Sequence, residues 1–340
     1  MNITICGGGN LGHVCAGFLS AGDNNQVSLL TTKPDQWSHY LEVVDLNGKV
    51  YNGKLYKISS NACDVVPEAD LILMCLPGFA IHNELVAIAP FLNKRTWVGT
   101  VVSSTGFFFE ALKILPQSQP LFGFQRVPFI SRIINYGHVA ELKGYKESLS
   151  VAIEHSENKE NIRSSLEILF KTPIRLLDSY YEVSLSNSNP LLHTARLYTM
   201  WKDWKPGISY ESIPFFYSDW TIEAAELLIA MDEEFQRLLK VLGLKDGAIP
   251  PVLKYYESKD AMSLVNKLRS IPAFKGIYSP MTVNQFGQYE PDFNSRYFTE
   301  DFPYGMKFIV KVAEENNVTI PIIKTVYQWG MSKIENVNNE

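Results

Sequence analysis

The sequence predicts an α/β domain built on a doubly wound parallel sheet, followed by an all-α domain. Three observations carry this. Apolar, β-branched runs alternate with helix-patterned stretches in the first part of the chain, a glycine-rich GxGxxG sits at the first strand-to-helix junction, and from about Ser184 long 3.6-residue periodicities take over. A length of 340 residues exceeds one ordinary core, so two domains are expected, residues 1–182 and 183–340.

The first strand, Asn2-Ile3-Thr4-Ile5-Cys6, runs straight into Gly7-Gly8-Gly9-Asn10-Leu11-Gly12. In that position each glycine of GxGxxG has a task. Gly7 permits the tight turn, Gly9 lets the backbone approach a pyrophosphate, and Gly12 lets helix and strand lie close. The free amides at the helix start, from Asn10 and Leu11 onward, then receive the phosphates. With a second strand at Gln26–Thr31 this is a βαβ unit, and it predicts a Rossmann-type dinucleotide site.

The end of that second strand bears on which dinucleotide. Units that bind NAD carry an acid there, about 20 residues past the glycines, for the ribose hydroxyls. Here stand Thr31, Thr32 and Lys33, with no acid. Two hydroxyls and an ammonium suit a 2′-phosphate, so NADP is expected ahead of NAD; Lys33 reads equally as a solvated lysine at a strand end.

Val50–Leu55 reads as a hairpin around Asn52-Gly53, and Asp70–Pro77 as a buried strand whose last residues, Leu76 and Pro77, are expected to border the cofactor. A helix over Ile81–Leu92 and a strand over Thr96–Val102 follow. Strand patterns at Gly144–Ile153 and Ile174–Leu177, with a helix at Lys159–Phe170 between them, complete the sheet. In the second half, Ala225, Leu228, Met231, Phe235, Leu238, Leu239 and Leu242 line one face of a helix over Asp219–Gly243, with Asp219 as N-cap and Gly243 as C-cap. Glu335–Glu340 reads as a frayed polar tail.

Composition excludes several functions. The net charge is -5, and no Lys/Arg block of the kind that tracks a phosphate backbone occurs, so no nucleic acid is expected. No run approaches about 18 apolar residues, and the chain opens directly on a strand with no room for a leader, so no membrane partner and a cytoplasmic location are expected. Cys6, Cys15, Cys63 and Cys75 form no CxxC pair and read as reduced thiols; no metal is expected.

Two segments of the helical half gather chemistry. In Ser186–Arg196, a helix entered near Asn189 or Pro190 puts Asn189, His193 and Arg196 at i, i+4 and i+7, on one face. The second is Asn294–Gly305. By itself His193 reads more readily as a hydrogen-bonded structural residue on an apolar helix. The stretch Met200–Tyr217, rich in Trp and Tyr, reads as a pocket lining, as core or as a dimer contact.

Asn187, Asn189 and His193, then Arg296, Tyr297, Glu300, Asp301 and Gly305, stand in an order that resembles the octopine/nopaline (opine) dehydrogenase family. The resemblance extends over Gln125–Phe129 to Arg132 and Glu141–Val151. It implies an N-terminal Rossmann domain joined to a helical domain of the 6-phosphogluconate dehydrogenase C-terminal-like type. It also implies reductive condensation, in which the amine of an amino acid attacks an α-keto acid and NAD(P)H reduces the imine. Carried over, His193 is the general acid/base and Asp301 the carboxylate that orients it; an imidazole with an ordinary pKa of about 6.5 suits proton transfer in either direction.

Both substrates carry carboxylates, so fixed cations are needed. Arg132 and Arg296 match family arginines, Arg132 for substrate and Arg296 for the cofactor pyrophosphate or substrate across the cleft. Gln125 and Asn189 are further substrate candidates. Arg196 departs from the family pattern and points to a different substrate. Thr194 stands where the family often has proline, which predicts a straighter helix. Two other readings remain open: a ketopantoate reductase type, for which Lys202 lies outside the expected motif, and a non-catalytic dinucleotide sensor. A homodimer is a further expectation.

Overall fold

The computed structural model describes residues 1–22 and 24–337, and the chain divides into two compact units, Met1–Ser186 and Asn187–Glu340. The first unit opens with strand β1 (Asn2–Cys6), helix α1 (Asn10–Ser20) and strand β2 (Gln26–Leu30). Strands β3 (Tyr40–Asp45) and β4 (Val50–Ser59), the short helix α2 (Ala62–Val65), strand β5 (Leu71–Met74) and helix α3 (Gly78–Ile88) follow. Then come β6 (Trp97–Thr100), α4 (Phe107–Ile114), β7 (Leu121–Phe124), β8 (Phe129–Asn135), β9 (Val139–Tyr145) and β10 (Leu149–Glu154). Helix α5 (Lys159–Phe170), strand β11 (Ile174–Leu176) and helix α6 (Tyr180–Leu185) close the unit.

The sheet runs β11-β10-β7-β6-β5-β1-β2-β4-β3-β9-β8. Its centre, β4-β2-β1-β5-β6-β7, is all parallel and reverses direction of winding between β1 and β5. That reversal is the switch point at which ligands of doubly wound sheets bind, beyond the carboxyl ends of the strands. Alternate residues face opposite sides. Ile3, Ile5, Leu71 and Leu73 join a core with Val14 and Phe18 of α1 and Leu166 and Phe170 of α5, while Cys6, Ile72 and Met74 join Ile81 and Leu85 of α3 and Phe107 and Phe108 of α4. Both faces are therefore dry, which is why these strands read as unbroken apolar runs.

Several expectations are corrected. The hairpin turn lies at Asn47-Gly48, where Gly48 has φ +76°, and Asp45 pairs with Lys49 across it. Asn52-Gly53 instead sits inside β4, opposite Glu42 and Leu41, because a bare Gly53 backbone is what α1 packs against. The segment 144–153 is two strands. β9 pairs with β3 and β8, whereas β10 pairs with β7 and β11 on the other side of the parallel centre, and polar Lys146-Glu147-Ser148 carries the chain away from the first pairing. Helix α3 begins at Gly78, three residues before the predicted Ile81, and ends at Ile88, giving way to a 3₁₀ turn over Ala89–Phe91.

The second unit comprises α7 (Asn189–Trp201), α8 (Ile222–Val241), α9 (Val252–Tyr255) and α10 (Ala261–Ser270), then strands β12 (Met281–Val283) and β13 (Tyr289–Pro291). Helices α11 (Arg296–Thr299), α12 (Lys307–Glu315) and α13 (Pro321–Val337) complete it. It is thus helical apart from one antiparallel hairpin, β12 with β13. Helix α8 starts later than predicted. Thr221 caps it by accepting from the Ala224 amide, while Asp219 accepts from the Phe215 amide and closes the preceding turn. Gly243, at φ +74°, follows the helix end, and the Leu244 amide reaches back to the Leu239 carbonyl as in a Schellman motif. Of the predicted polar tail Glu335–Glu340, α13 includes the backbone to Val337 and residues 338–340 lie outside the described residues.

Candidate active site

The glycine loop after β1 has the geometry its sequence predicts. Gly7 sits at φ +110°, and a Cβ there falls 2.7 Å from the Cys75 carbonyl oxygen, so β5 and the loop leave room for glycine alone. A Cβ on Gly12 would overlap the Gly7 carbonyl. Nothing lies within 4 Å of a Cβ on exposed Gly9, so the loop backbone there is open to a ligand. Asn10 and Leu11 begin α1 with no side-chain cap on its free amides, the arrangement that favours a phosphate.

Beside the loop lies a groove of about 240 Å³. It brings together Gly7, Thr31, Thr32, Lys33 and Leu76, all predicted, with Ser60, Glu84 and Tyr136, which the sequence did not single out. Pro77 is the residue before α3 and is half-buried. Thr32 and Lys33 are exposed and Thr31 is buried, its hydroxyl 2.9 Å from the Cβ position of Gly8. The residues present fit the adenosine half of a dinucleotide. An open loop amide run, two hydroxyls and a free ammonium converge, and burial pushes the Glu84 carboxyl up.

The loop is also held from the far edge of the sheet. Asn10 Oδ1 accepts from the Ile133 amide at 2.8 Å, and buried His13 bridges the Gly9 carbonyl (Nδ1, 3.0 Å) and the Gly137 amide (Nε2, 2.8 Å). An amide must donate, so Nε2 accepts and Nδ1 carries the proton that Gly9 receives. Burial lowers the His13 pKa and keeps that neutral tautomer. Its ring lies 4.0 Å from Trp37 and 4.8 Å from Tyr136, and the Tyr136 hydroxyl comes 2.8 Å from the Cβ position of Gly8. The β8–β9 turn therefore fastens the glycine loop from above.

In the second unit the predicted pair is formed. His193 Nδ1 lies 2.7 Å from Asp301 Oδ2, and His193 Nε2 lies 2.8 Å from the Tyr217 hydroxyl. Both are nearly enclosed, with 11% of the His193 and 14% of the Asp301 side chain exposed. Tyr297 (4.8 Å) and Phe216 (5.6 Å) stand edge-on to the imidazole. Local sequence explains the placement. Pro190 at the start of α7 pre-sets its first turn, and Asn187 Oδ1 accepts from the Asn189 amide. Asp301 opens a π-helical turn over Phe302–Met306, a local widening found often at functional sites. Gly305 of that turn faces the Pro190 ring so closely that a Cβ would fall 2.8 Å from its Cβ. The close approach of these two turns is what sets His193 against Asp301.

Other predicted residues fall differently. Arg196 is buried, its Nε donating to the Phe216 carbonyl at 3.3 Å and its guanidinium 6.0 Å from the Trp220 ring; desolvation pushes it down to about 10. Arg196 thus faces the 216–220 loop. Asn189 is exposed at the first turn of α7, so it does not share the buried face of His193 and Arg196. Thr194 bonds back to the Pro190 carbonyl, and α7 runs unbroken through it. Arg132 is exposed on β8 and half-buried Gln125 follows β7, its amide bonded to the Ser150 carbonyl. The Arg296 side chain is 88% exposed, its nearest acid Glu300 at 3.9 Å. Of the aromatic stretch, Trp201, Phe216 and Tyr217 are buried, while Trp204, Tyr210 and Phe215 are half-buried. Tyr217, which sequence reasoning left inside that stretch, completes the histidine's contacts. Lys202 is bound to Glu223 at 2.7 Å.

Among the described residues no cluster of three or more His, Cys, Asp or Glu is placed to hold a metal, and no helix is long and apolar enough to cross a membrane. The four cysteines are free, with Cys6, Cys15 and Cys75 buried.

Comparison with known proteins fits this geometry. The family model described as NAD/NADP octopine/nopaline dehydrogenase, alpha-helical domain, matches residues 176–334, and the ketopantoate reductase PanE/ApbA model matches residues 3–124. An opine dehydrogenase of Haliotis discus hannai is 26% identical, over 97% of this chain and 89% of its own. An octopine dehydrogenase solved with NADH and L-arginine has the same fold, with a TM-score of 0.87 at 24% identity over 98% of this chain and 90% of its own. Yersinopine dehydrogenase, solved with NADP+, follows at a TM-score of 0.72 and 12% identity over 99% of this chain and 91% of its own.

Proposed function

The chain belongs to the octopine/nopaline (opine) dehydrogenase family, and from that premise we propose that it joins an α-keto acid to the amino group of an amino acid by NAD(P)H-dependent reductive condensation. The observation that carries the reading is the enclosed His193–Asp301 pair at 2.7 Å. A bound nicotinamide cofactor supplies the hydride that reduces the C=N bond. His193 handles the protons that amine attack and loss of water require, and Asp301 accepts the hydrogen bond from its Nδ1–H and orients the ring. Gly7, Gly9, Asn10, Leu11, Gly12, Leu76 and Pro77 hold the dinucleotide in this reading, and Thr31, Thr32 and Lys33 favour a 2′-phosphate, so NADPH is the preferred donor. Arg132 and Arg296, both exposed, offer planar forks to anionic groups, substrate carboxylate or cofactor phosphate. Buried Arg196 serves by holding its loop. The free cysteines suit a reducing cytoplasm.

A ketopantoate-type reductase needs a free lysine in the helical part, and Lys202, tied to Glu223, does not offer one. The test is an NAD(P)H oxidation screen crossing pyruvate, glyoxylate, oxaloacetate and 2-oxoglutarate with the common amino acids. Oxidation that requires both partners is expected, faster with NADPH. Reduction of a keto acid with no amine present overturns the condensation reading, and a clear preference for NADH overturns the cofactor choice.

A further inference from the structure

Both ring nitrogens of His193 are occupied. Asp301 takes Nδ1 and the Tyr217 hydroxyl takes Nε2, at 2.7 and 2.8 Å. The carboxylate accepts the Nδ1 proton and orients the ring, so the proton available for exchange with a substrate is the one on Nε2, and the atom in contact with Nε2 is Tyr217 Oη. From this geometry we infer that His193 exchanges its proton with substrate through the Tyr217 hydroxyl, as an Asp301–His193–Tyr217 relay. The inference rests on the condensation reading and deepens it.

Three features place that hydroxyl. The Tyr217 ring stacks on Phe274 at 4.0 Å and 13°, and lies parallel to Trp220 at 6.0 Å and 9°. The loop that carries it is held on both sides of Tyr217 by cations: buried Arg196 donates through Nε to the Phe216 carbonyl at 3.3 Å, and Arg269, an exposed residue, donates through Nη2 to the Trp220 carbonyl at 2.6 Å. Asp219 closes the turn on the Phe215 amide at 2.8 Å. A tyrosine whose role was packing alone would need only its ring; here ring and backbone are both fixed with Oη on Nε2. Burial, with Tyr297, Tyr256 and the Asp301 charge nearby, holds the phenol well above its usual range. Tyr217 therefore stays protonated and passes a proton by taking one as it gives one.

The balance is as follows. The substrate ammonium releases one proton, through the Tyr217 hydroxyl, to the ring as its nitrogen bonds to the keto carbon; the ring becomes imidazolium, and a second nitrogen proton passes to the former carbonyl oxygen to give the neutral carbinolamine. In the carbinolamine so formed the C–O bond breaks. Its oxygen takes the hydroxyl proton of Tyr217 and leaves as water, while the nitrogen lone pair makes the C=N bond. Tyr217 Oη is reprotonated from His193 Nε2, and the ring returns to neutral with Nδ1–H kept on the ring and donated to Asp301 as a hydrogen bond.

Tyr217→Phe keeps the stacked ring and removes only the hydroxyl, and it is compared with His193→Ala and with the double variant in the full-length protein. Expected are a fall in kcat of about 10²-fold or more, NADPH affinity unchanged by fluorescence titration, a moved ¹⁵N resonance of His193 Nε2, and a double variant no slower than His193→Ala. Turnover of Tyr217→Phe near wild type, a double variant slower than His193→Ala by the full factor of the tyrosine, or an unmoved Nε2 resonance each overturns the relay. If the wild-type protein condenses no pair of substrates, the functional reading fails on that result, and a moved Nε2 resonance still upholds the linkage of His193 to Tyr217.

Discussion

Two histidines show how partners assign opposite duties to one side chain. His193 faces a carboxylate and a hydroxyl, so each ring nitrogen has a partner that tolerates the charged ring. Asp301→Asn removes the carboxylate that accepts from Nδ1 and offers an amide that can hold the wrong tautomer. Turnover is expected to fall by about 10²- to 10⁴-fold with NADPH affinity intact, and a loss below tenfold in kcat speaks against Asp301 as the orienting group. His13 is the reverse case, because one of its partners is the Gly137 N–H, which a protonated ring cannot accept. Its folded pKa lies below the ordinary value of about 6.5. The fold therefore gains from neutral His13 above that value, and the gain is lost as pH falls toward the folded pKa. Melting temperature and NADPH affinity should both drop from pH 7 to 5, and His13→Phe, which cannot titrate, should flatten that part of the profile. Parallel profiles in the two proteins would refute the role.

At the scale of elements, what was legible followed from distance along the chain. The βαβ unit with Gly7, Gly9 and Gly12, and helix α5 at Lys159–Phe170, were readable because the signals that make them are local. The turn at Asn47-Gly48 was missed because two Asn-Gly pairs five residues apart compete, and only packing of α1 on β4 decides which one bends. The β8–β9 turn was invisible as a cover for the glycine loop because His13 and Gly137 are 124 residues apart. Asp219 and Thr221 were interchangeable as caps by type, and the aromatic loop that draws Asp219 to Phe215 separates them. Thr221→Ala is expected to cost about 1 kcal/mol of stability through α8 without changing KM. Asp219→Ala should instead loosen the loop that carries Tyr217 and lower kcat. Equal effects of the two on kcat, measured beside urea unfolding, would contradict this division.

At the scale of the molecule, the glycine-loop groove and the His193–Asp301 pair are built by different means in different units. The first unit makes its site from backbone, with glycines, loop amides and strand ends at a switch point, so it is written in a short motif. The second makes its site from side chains brought together over 108 residues, on helices whose own pattern says only that they are buried. The histidine and its aspartate were therefore found through a family's motif order, and Tyr217, which no motif marks, only through the fold. The two chemistries should then come apart under mutation. His193→Ala removes a side chain of the second unit, whereas the groove of the first unit is lined by other residues. NADPH binding by fluorescence titration is expected to stay within about twofold of wild type while turnover falls by about 10²-fold or more. A large loss of NADPH affinity would mean that His193 also supports the dinucleotide. Unchanged turnover would remove His193 from the chemistry and assign the proton transfer to another group.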